Sequence, residues 1–118
     1  MAKVLIVEDE KPLSTAYKTI LEKHGFEALV ATNGEEALEV IETTKPDLIL
    51  LDMMMPKMNG LEFLRRLQGK FPADKVIVFS NQDSQEDIDE AFKLGANRYL
   101  LKSWAAPQDL VKVVQDTI

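Results

Sequence analysis

Asp47-Leu48-Ile49-Leu50-Leu51-Asp52-Met53-Met54-Met55-Pro56 is the stretch on which the fold turns. Leu48 to Leu51 are apolar without alternation, the pattern of a strand covered on both faces. The run ends on a carboxylate, Asp52. Far upstream, Val4-Leu5-Ile6-Val7 has the same make-up and also ends in acids, Glu8-Asp9. Two buried strands that each finish on carboxylates predict one acidic cluster at one edge of a sheet. Such a cluster repels itself unless a cation sits in it, so Asp52 is a candidate for chemistry.

Outward from this run, strand and helix alternate. Lys3–Val7 reads as a buried strand. Pro12 suits a first helical turn, where its missing N–H does no harm; Leu13, Ala16, Tyr17, Ile20 and Leu21 follow at helical spacing, and Gly25 ends the helix. His24, at that helix C-terminus, fits a favourable dipole placement better than catalysis. Phe26–Ala31 is a weaker strand of mixed polarity, nearer an edge. Asn33 with Glu36 forms a capping pair for a helix carrying Ala37, Leu38 and Ile41, and Pro46 breaks it before the strand Asp47–Leu51. Asn59-Gly60 opens a helix with Leu61, Phe63, Leu64 and Leu67 on or beside its buried face. Lys75–Phe79 is a further apolar strand. Ser84 and Asp87 cap a helix that should bury Ile88, Ala91, Phe92 and Leu94, and Gly95 closes it. Arg98–Leu101 is a short strand, and Pro107 starts a last helix with Leu110, Val111 and Val114 inward. Five strand–helix units of this kind predict an α/β fold, a parallel sheet with helices on both sides, and ligands at the carboxyl ends of the strands.

The 118 residues fit one domain, 1–118, with no linker or repeat. The chain has 46% hydrophobic and 29% charged residues and no Cys, which excludes disulfides and thiolate metal sites. Its net charge of −6, from 20 acids against 14 Lys plus Arg, argues against direct nucleic-acid binding, which needs a basic face. The apolar runs fall short of the roughly 18 residues of a membrane span, and Met1-Ala2-Lys3 does not resemble a signal peptide. A cytoplasmic setting is the expectation.

Ser80 and Lys102 also follow apolar runs directly and should emerge on the rim that carries Glu8, Asp9 and Asp52. Carboxylates with room for water suit Mg²⁺, and the absence of His or Cys at these strand ends argues against Zn²⁺. The thioethers of Met53, Met54, Met55 and Met58 are poor ligands for such an ion and read as gap fillers. An ionised Asp beside a cation can attack a phosphoryl group to form an acyl phosphate, with Mg²⁺, Lys102 and the Ser80 hydroxyl neutralising and positioning the transferred oxygens.

Three stretches resemble the receiver domains of bacterial response regulators: Val4-Leu5-Ile6-Val7-Glu8-Asp9-Glu10, Asp47 through Asp52 to Asn59-Gly60, and Gly95-Ala96-Asn97-Arg98-Tyr99-Leu100-Leu101-Lys102. The resemblance covers the whole chain. It implies a doubly wound, flavodoxin-like five-stranded parallel sheet of order 2-1-3-4-5. It implies Asp52 as phosphoacceptor, Asp9 as a direct Mg²⁺ ligand, Glu8 as a ligand through water, and the Met54 backbone carbonyl as a further ligand. Lys102 would contact the phosphoryl group, Ser80 would move toward it, and Tyr99 would swing inward. A sensor histidine kinase or phosphotransfer protein would donate the group, and the face near the fourth helix and last strand would change its affinity for an output partner. A homodimer through Phe92, Lys93 and Tyr99 on phosphorylation is a partner that no motif supports. The chain would modify itself and slowly hydrolyse its own acyl phosphate, without turning over an outside substrate.

Ser103 follows Lys102 where the family usually has Pro after a cis bond. A cis bond before a non-Pro residue costs about 3 kcal/mol, so a trans bond is expected, which leaves the direction of the Lys102 side chain to be found. Asn81 stands where a smaller residue is usual, and Met54 and Gln82 flank the path of attacking water, where they should tune the acyl-phosphate lifetime. Trp104 packs over the rim or serves a partner. Three other readings compete. A Mg²⁺-dependent phosphohydrolase would want a second Asp where Met54 stands. A small-cofactor binder would want a Ser/Thr/Gly-rich loop in place of Glu8-Asp9-Glu10. A degenerate receiver would act only as an interaction module. The kinase, the output, and whether the chain stands alone, is excised or is engineered stay open.

Overall fold

The computed structural model describes residues 2–55, 58–81, 84–102 and 107–118. Its strands β1 (Lys3–Val7), β2 (Glu27–Ala31), β3 (Leu48–Leu51), β4 (Val76–Ser80) and β5 (Arg98–Leu101) alternate with helices α1 (Lys11–Lys23), α2 (Gly34–Thr44), α3 (Gly60–Leu67), α4 (Gln85–Lys93) and α5 (Pro107–Thr117). A 3₁₀ turn at Ala73–Lys75 leads into β4, so Lys75 stands outside the strand expected to include it. All pairings are parallel and the order is β2-β1-β3-β4-β5, the doubly wound, flavodoxin-like arrangement expected.

The period-2 geometry of strands divides their apolar residues between two cores. Leu5, Val7, Ile49, Leu51, Val76 and Val78 pack with Ala37 and Ile41 of α2, Phe63, Leu64 and Leu67 of α3, and Ala91 of α4. The alternate set, Val4, Ile6, Leu48, Leu50, Ile77 and Phe79, packs with Tyr17 and Leu21 of α1 and Leu110, Val111 and Val114 of α5. Continuous apolar runs are thus required in the central strands, because each residue of Val4–Val7, β3 and Val76–Phe79 faces one core or the other. Each fully buried Leu or Ile contributes roughly 1.5–3 kcal/mol. Among the described residues no helix is long and apolar enough to cross a membrane.

The caps explain where the helices begin. Asn33 Oδ1 accepts the Glu36 N–H at 2.9 Å, and the Glu36 carboxylate returns to the N–H and hydroxyl of Thr32, both at 3.2 Å. Asn59 Oδ1 likewise accepts the Glu62 N–H at 2.9 Å. Ser84 occupies the N-cap of α4 but makes no side-chain cap bond.

Two expected core residues lie outside the core. Ala16 is exposed, and the inward position of that turn belongs to Ser14, whose hydroxyl donates to Lys11 O at 3.1 Å. Phe92 is 47% exposed; in α4 only Ala91 is fully buried, with Ile88 half-buried. The cause is the sheet edge. Among the described residues β5 has no outer neighbour, and its own residues are half-buried or exposed, so α4 covers a narrow strip. A helix turns by about 100° per residue, which carries Phe92 off that strip.

Candidate functional site

The sheet builds the rim by running its ladders one residue past the strands. The Glu8 N–H donates to Ala31 O at 3.0 Å, the Asp52 N–H to Val7 O at 3.0 Å, and the Lys102 N–H to Ser80 O at 2.9 Å. Three ionisable residues thereby inherit the rigidity of a backbone that packs two cores. Glu8 is 2% exposed, Asp52 7% and Ser80 0%, whereas Asp9 is exposed.

Lys102 Nζ donates to Glu8 Oε1 at 2.5 Å and to Asp52 Oδ2 at 3.3 Å. The side chain therefore points into the acidic cluster, which answers the question raised by Ser103. The Lys102–Ser103 bond itself, with Gln82 and Trp104, lies outside the described residues. Asp52 is held from its other side as well, because Oδ1 accepts the Met54 N–H at 3.1 Å. Burial raises the Glu8 pKa, and the hydrogen bond and charge of Asp52 add to it, so that despite Lys102 it is pushed up to about 7. Burial works against the Lys102 ammonium, but the hydrogen bond to Glu8 and the charges of Asp52 and Glu8 prevail and raise its pKa. One ammonium thus serves two buried carboxylates and does not fully neutralise them.

Carboxylate oxygens of Glu8, Asp9 and Asp52 all lie within 4.8 Å of one another. This donor set fits a hard divalent cation. The three side chains supply only oxygen, the exposed Asp9 leaves room for water, and few protein ligands with several waters is the habit of Mg²⁺. The one His, His24, is at the far end of α1, with Nδ1 2.9 Å from Ile20 O. Met53 and Met58 are buried at 3% and 5% exposure, as gap fillers should be, while Met54 is 61% exposed.

Ser80 ends β4 opposite Leu101, and Tyr99 pairs with Val78 two residues earlier. Tyr99 is half-buried and packs against the α2–α4 core, so these two residues share one strand pair beside the cluster. Asn81 is exposed next to Ser80. Phe92 and Lys93 are exposed on α4.

Tyr17 is the site residue that the helical pattern concealed. Its ring meets Phe79 edge to face, with centroids 5.2 Å apart at 74°. With Ile6 and Leu50 the two rings line one small cavity together with Glu8 and Asp52. Burial raises the Tyr17 pKa; Lys102 opposes that and Glu8 and Asp52 reinforce it. The available signal was a hydroxyl-bearing residue in an otherwise apolar stripe. Gly60 shapes the opposite side. Its N–H donates to Met53 O at 3.0 Å, and a Cβ there would lie 2.5 Å from Met53 Sδ and 2.7 Å from Met53 Cα. The Asn59-Gly60 pair is needed for this close approach of α3 to the loop after Asp52.

Comparison with known proteins agrees with this geometry. Residues 4–115 match the family model of the response regulator receiver domain. The chain is 41% identical over 115 residues to the nitrate/nitrite response regulator protein NarL of Escherichia coli, covering 96% of this chain and 53% of that protein. It is 38% identical over 111 residues to the chemotaxis protein CheY of Listeria monocytogenes, covering 93% of each. The chain thus spans about half the length of several curated relatives and nearly all of others. Among solved structures, a CheY-like receiver domain protein from Methanospirillum hungatei superposes with a TM-score of 0.92 at 30% identity, covering 98% of this chain and 92% of that one. The chemotaxis protein CheY4 of Vibrio cholerae superposes at 0.90 with 31% identity, covering 100% and 99%. The acidic cluster, the lysine that bridges it and the sheet order together show that the chain belongs to the response regulator receiver domains, the signalling modules of two-component systems.

Proposed function

We propose that the chain, as one receiver domain, is a phosphoacceptor switch in which Asp52 takes a phosphoryl group from a sensor histidine kinase, a phosphotransfer protein or a small phosphodonor. The observation that carries this reading is the Asp52 carboxylate, oriented by the Met54 N–H on one oxygen and by Lys102 on the other, with Glu8 and Asp9 in reach. An Asp52 oxygen attacks phosphorus, the bond from phosphorus to the donor breaks, and the donor leaves with that electron pair. Asp52 then carries an acyl phosphate. Lys102 orients the Asp52 carboxylate beforehand, through the contact at 3.3 Å, and meets the phosphoryl oxygens afterwards. Asp9, Asp52, the Met54 carbonyl and, through water, Glu8 would hold Mg²⁺, which when bound supplies charge neutralisation for the transferred group.

Ser80 and Tyr99 are assigned the switch. The new charge at the rim draws the Ser80 hydroxyl, and Tyr99, next along the same strand pair, fills the space that opens. A two-state element biased by a local charge is the usual form of such a device. The α4–β5 face then changes its affinity for an output partner, which includes a second copy of the chain. A cytoplasmic setting goes with this proposal.

Incubation with acetyl phosphate and Mg²⁺, followed by intact mass, tests the central step. One phosphoryl adduct is expected, absent without Mg²⁺ and absent in Asp52→Ala. No adduct in the parent chain would leave the reading of a degenerate interaction module, and an adduct that survives Asp52→Ala would move the chemistry elsewhere.

A further inference from the structure

At the opposite end of the sheet from the acidic rim lies a groove of about 630 Å³. It opens between the C-terminal ends of α2 and α3, where the chain enters β3 and approaches β4. Leu38, Ile41, Pro46, Phe71 and Pro72 give it an apolar lining. Its volume is that of a small-molecule cleft, in the general range of about 300–1,000 Å³, and such clefts combine apolar walls with a few placed polar groups.

The placed groups are mostly cationic. Lys45, Lys70 and Lys75 line the groove, against Glu42 and Asp47. Asp47 Oδ2 accepts the Lys3 backbone N–H at 2.8 Å, which fixes its direction and leaves its charge, so the five groups together carry a single net positive charge. Lys75 is fixed in place by donating to Thr117 O at 2.7 Å. Lys45 is the left-handed C-cap of α2, with φ of 49°, and its N–H is tied to Ile41 O at 3.1 Å. Lys70 follows Gly69, with its own N–H on Leu67 O at 2.8 Å. Both backbones are therefore pinned beside the groove, while neither ammonium has an ion-pair partner among the described residues. A chain of net charge −6 thus surrounds an apolar cleft with a local excess of positive charge, opposite in sign to the molecule as a whole.

We infer that this groove is a binding site for a small organic monoanion with a compact apolar body, a carboxylate or sulfonate of aromatic or branched aliphatic type. The body displaces water from Leu38, Ile41 and Phe71, and the anion sits between Lys45 and Lys70. The charge complementarity selects an anion over a neutral apolar ligand. The volume suits a free small molecule better than a helix, which needs anchors along several turns. The site uses none of the residues assigned to phosphoryl transfer, so it stands or falls independently of that assignment.

Anilinonaphthalene sulfonate is the probe, with uncharged phenylnaphthylamine as its neutral counterpart. Saturable binding of one sulfonate per folded chain is expected. Amide resonances of residues 38–47 and 70–75 should shift, while those of Glu8, Asp52 and Lys102 stay in place. The double charge reversal Lys45→Glu/Lys70→Glu, on exposed turns that leave the apolar lining untouched, should weaken the sulfonate about tenfold, the scale of two exposed charge interactions. It should leave the neutral probe unchanged. The acetyl phosphate adduct on Asp52 should form at the same rate in both proteins. Absence of saturable binding, shifts centred elsewhere, equal sulfonate affinity in the double variant, or self-association of the chain in place of probe binding would each overturn the inference.

Discussion

The two ends of the sheet treat charge in opposite ways. At the C-terminal rim, Glu8 and Asp52 are buried and share one ammonium. At the N-terminal end, Lys45 and Lys70 are exposed beside an apolar groove and pair with nothing described. Both ends arise from the same rule: strand residues feed the cores, and charged groups gather where the strands meet their connections. The difference is which groups the connections bring together. At the rim, three strand ends converge on side chains that have left water for one another. A buried charge whose partner is removed costs several kcal/mol, while an exposed one costs little. The rim should therefore be sensitive to single changes and the base tolerant of them.

The largest effect is expected at Lys102. Lys102→Met keeps the stem and removes the ammonium from Glu8 and Asp52. Phosphorylation of Asp52 by acetyl phosphate should slow by roughly 10²–10³-fold, the cost of losing one preorganised electrostatic contact to a developing charge. Quenched time points read by intact mass give the rate. A rate within a few-fold of the parent would mean that the rim lysine holds the carboxylates without serving the transfer.

Next comes Glu8, whose titration is set first by burial and then by the neighbouring Asp52, against the opposing Lys102. Its folded pKa is raised from 4.5 to about 7. Between those values the folded chain binds a proton that the unfolded chain has lost. The contribution to stability is therefore fully present below about pH 4.5 and is lost as pH rises through about 7. At about 1.4 kcal/mol per pKa unit, the loss is on the order of 3 kcal/mol without divalent cation. Urea midpoints across this range should fall in the parent and stay flatter in Glu8→Gln. Added Mg²⁺ should recover stability at the upper end.

Much of this contrast was legible in the chain, and the reasons differ from residue to residue. Val4–Val7 and Leu48–Leu51 announced buried strands because no residue in them tolerates water, and the acids that follow were conspicuous for the same reason. Gly60 was legible as a turn, though only the approach of Met53 explains why no Cβ fits. Phe92 misled because helical spacing identifies an apolar stripe but not the width of sheet available to cover it. Tyr17 was hidden by the converse problem: its core position was plain, and its nearness to Glu8 and Asp52 depends on how α1 lies across β1 and β3. The groove at the base had no sequence signature, since Leu38, Pro46 and Phe71 meet only through tertiary packing.

Gly60 gives an intermediate test beside the rim. Gly60→Ala puts a methyl 2.7 Å from the Met53 backbone, where rotation of a side chain gives no relief. Overpacking of this kind costs about 1–3 kcal/mol, and the denaturant midpoint should fall accordingly. Gly25 is the control within the same molecule: at φ of +90° with nothing within 4 Å of an added Cβ, Gly25→Ala should cost only the left-handed backbone penalty, about 1–2 kcal/mol. Gly60 lacks a left-handed backbone, so a loss well below about 1 kcal/mol in Gly60→Ala would remove close approach to Met53 as the reason for glycine at 60.

The smallest effect closes the comparison from the other end. Lys45→Glu and Lys70→Glu each reverse an exposed charge that has no described ion-pair partner, so neither leaves a buried group unpaired. Lys70→Glu should change unfolding free energy by no more than about 0.5 kcal/mol, the usual range for surface substitutions, and Lys45→Glu by up to about 1 kcal/mol. For Lys45 the replacement keeps the left-handed backbone demand that any side chain there must meet, with φ of 49°, so no new strain enters. What does enter is a negative charge at the C-terminus of α2, where the helix dipole disfavours it by about 0.3–1 kcal/mol. Lys45→Glu should therefore be the more costly of the two, and Lys45→Gln should recover about half of the difference. Thermal melts of the three variants at low and high salt decide this: a loss that shrinks with salt marks the dipole, and a loss that does not would mean that Lys45 has a packing role at the base of the sheet.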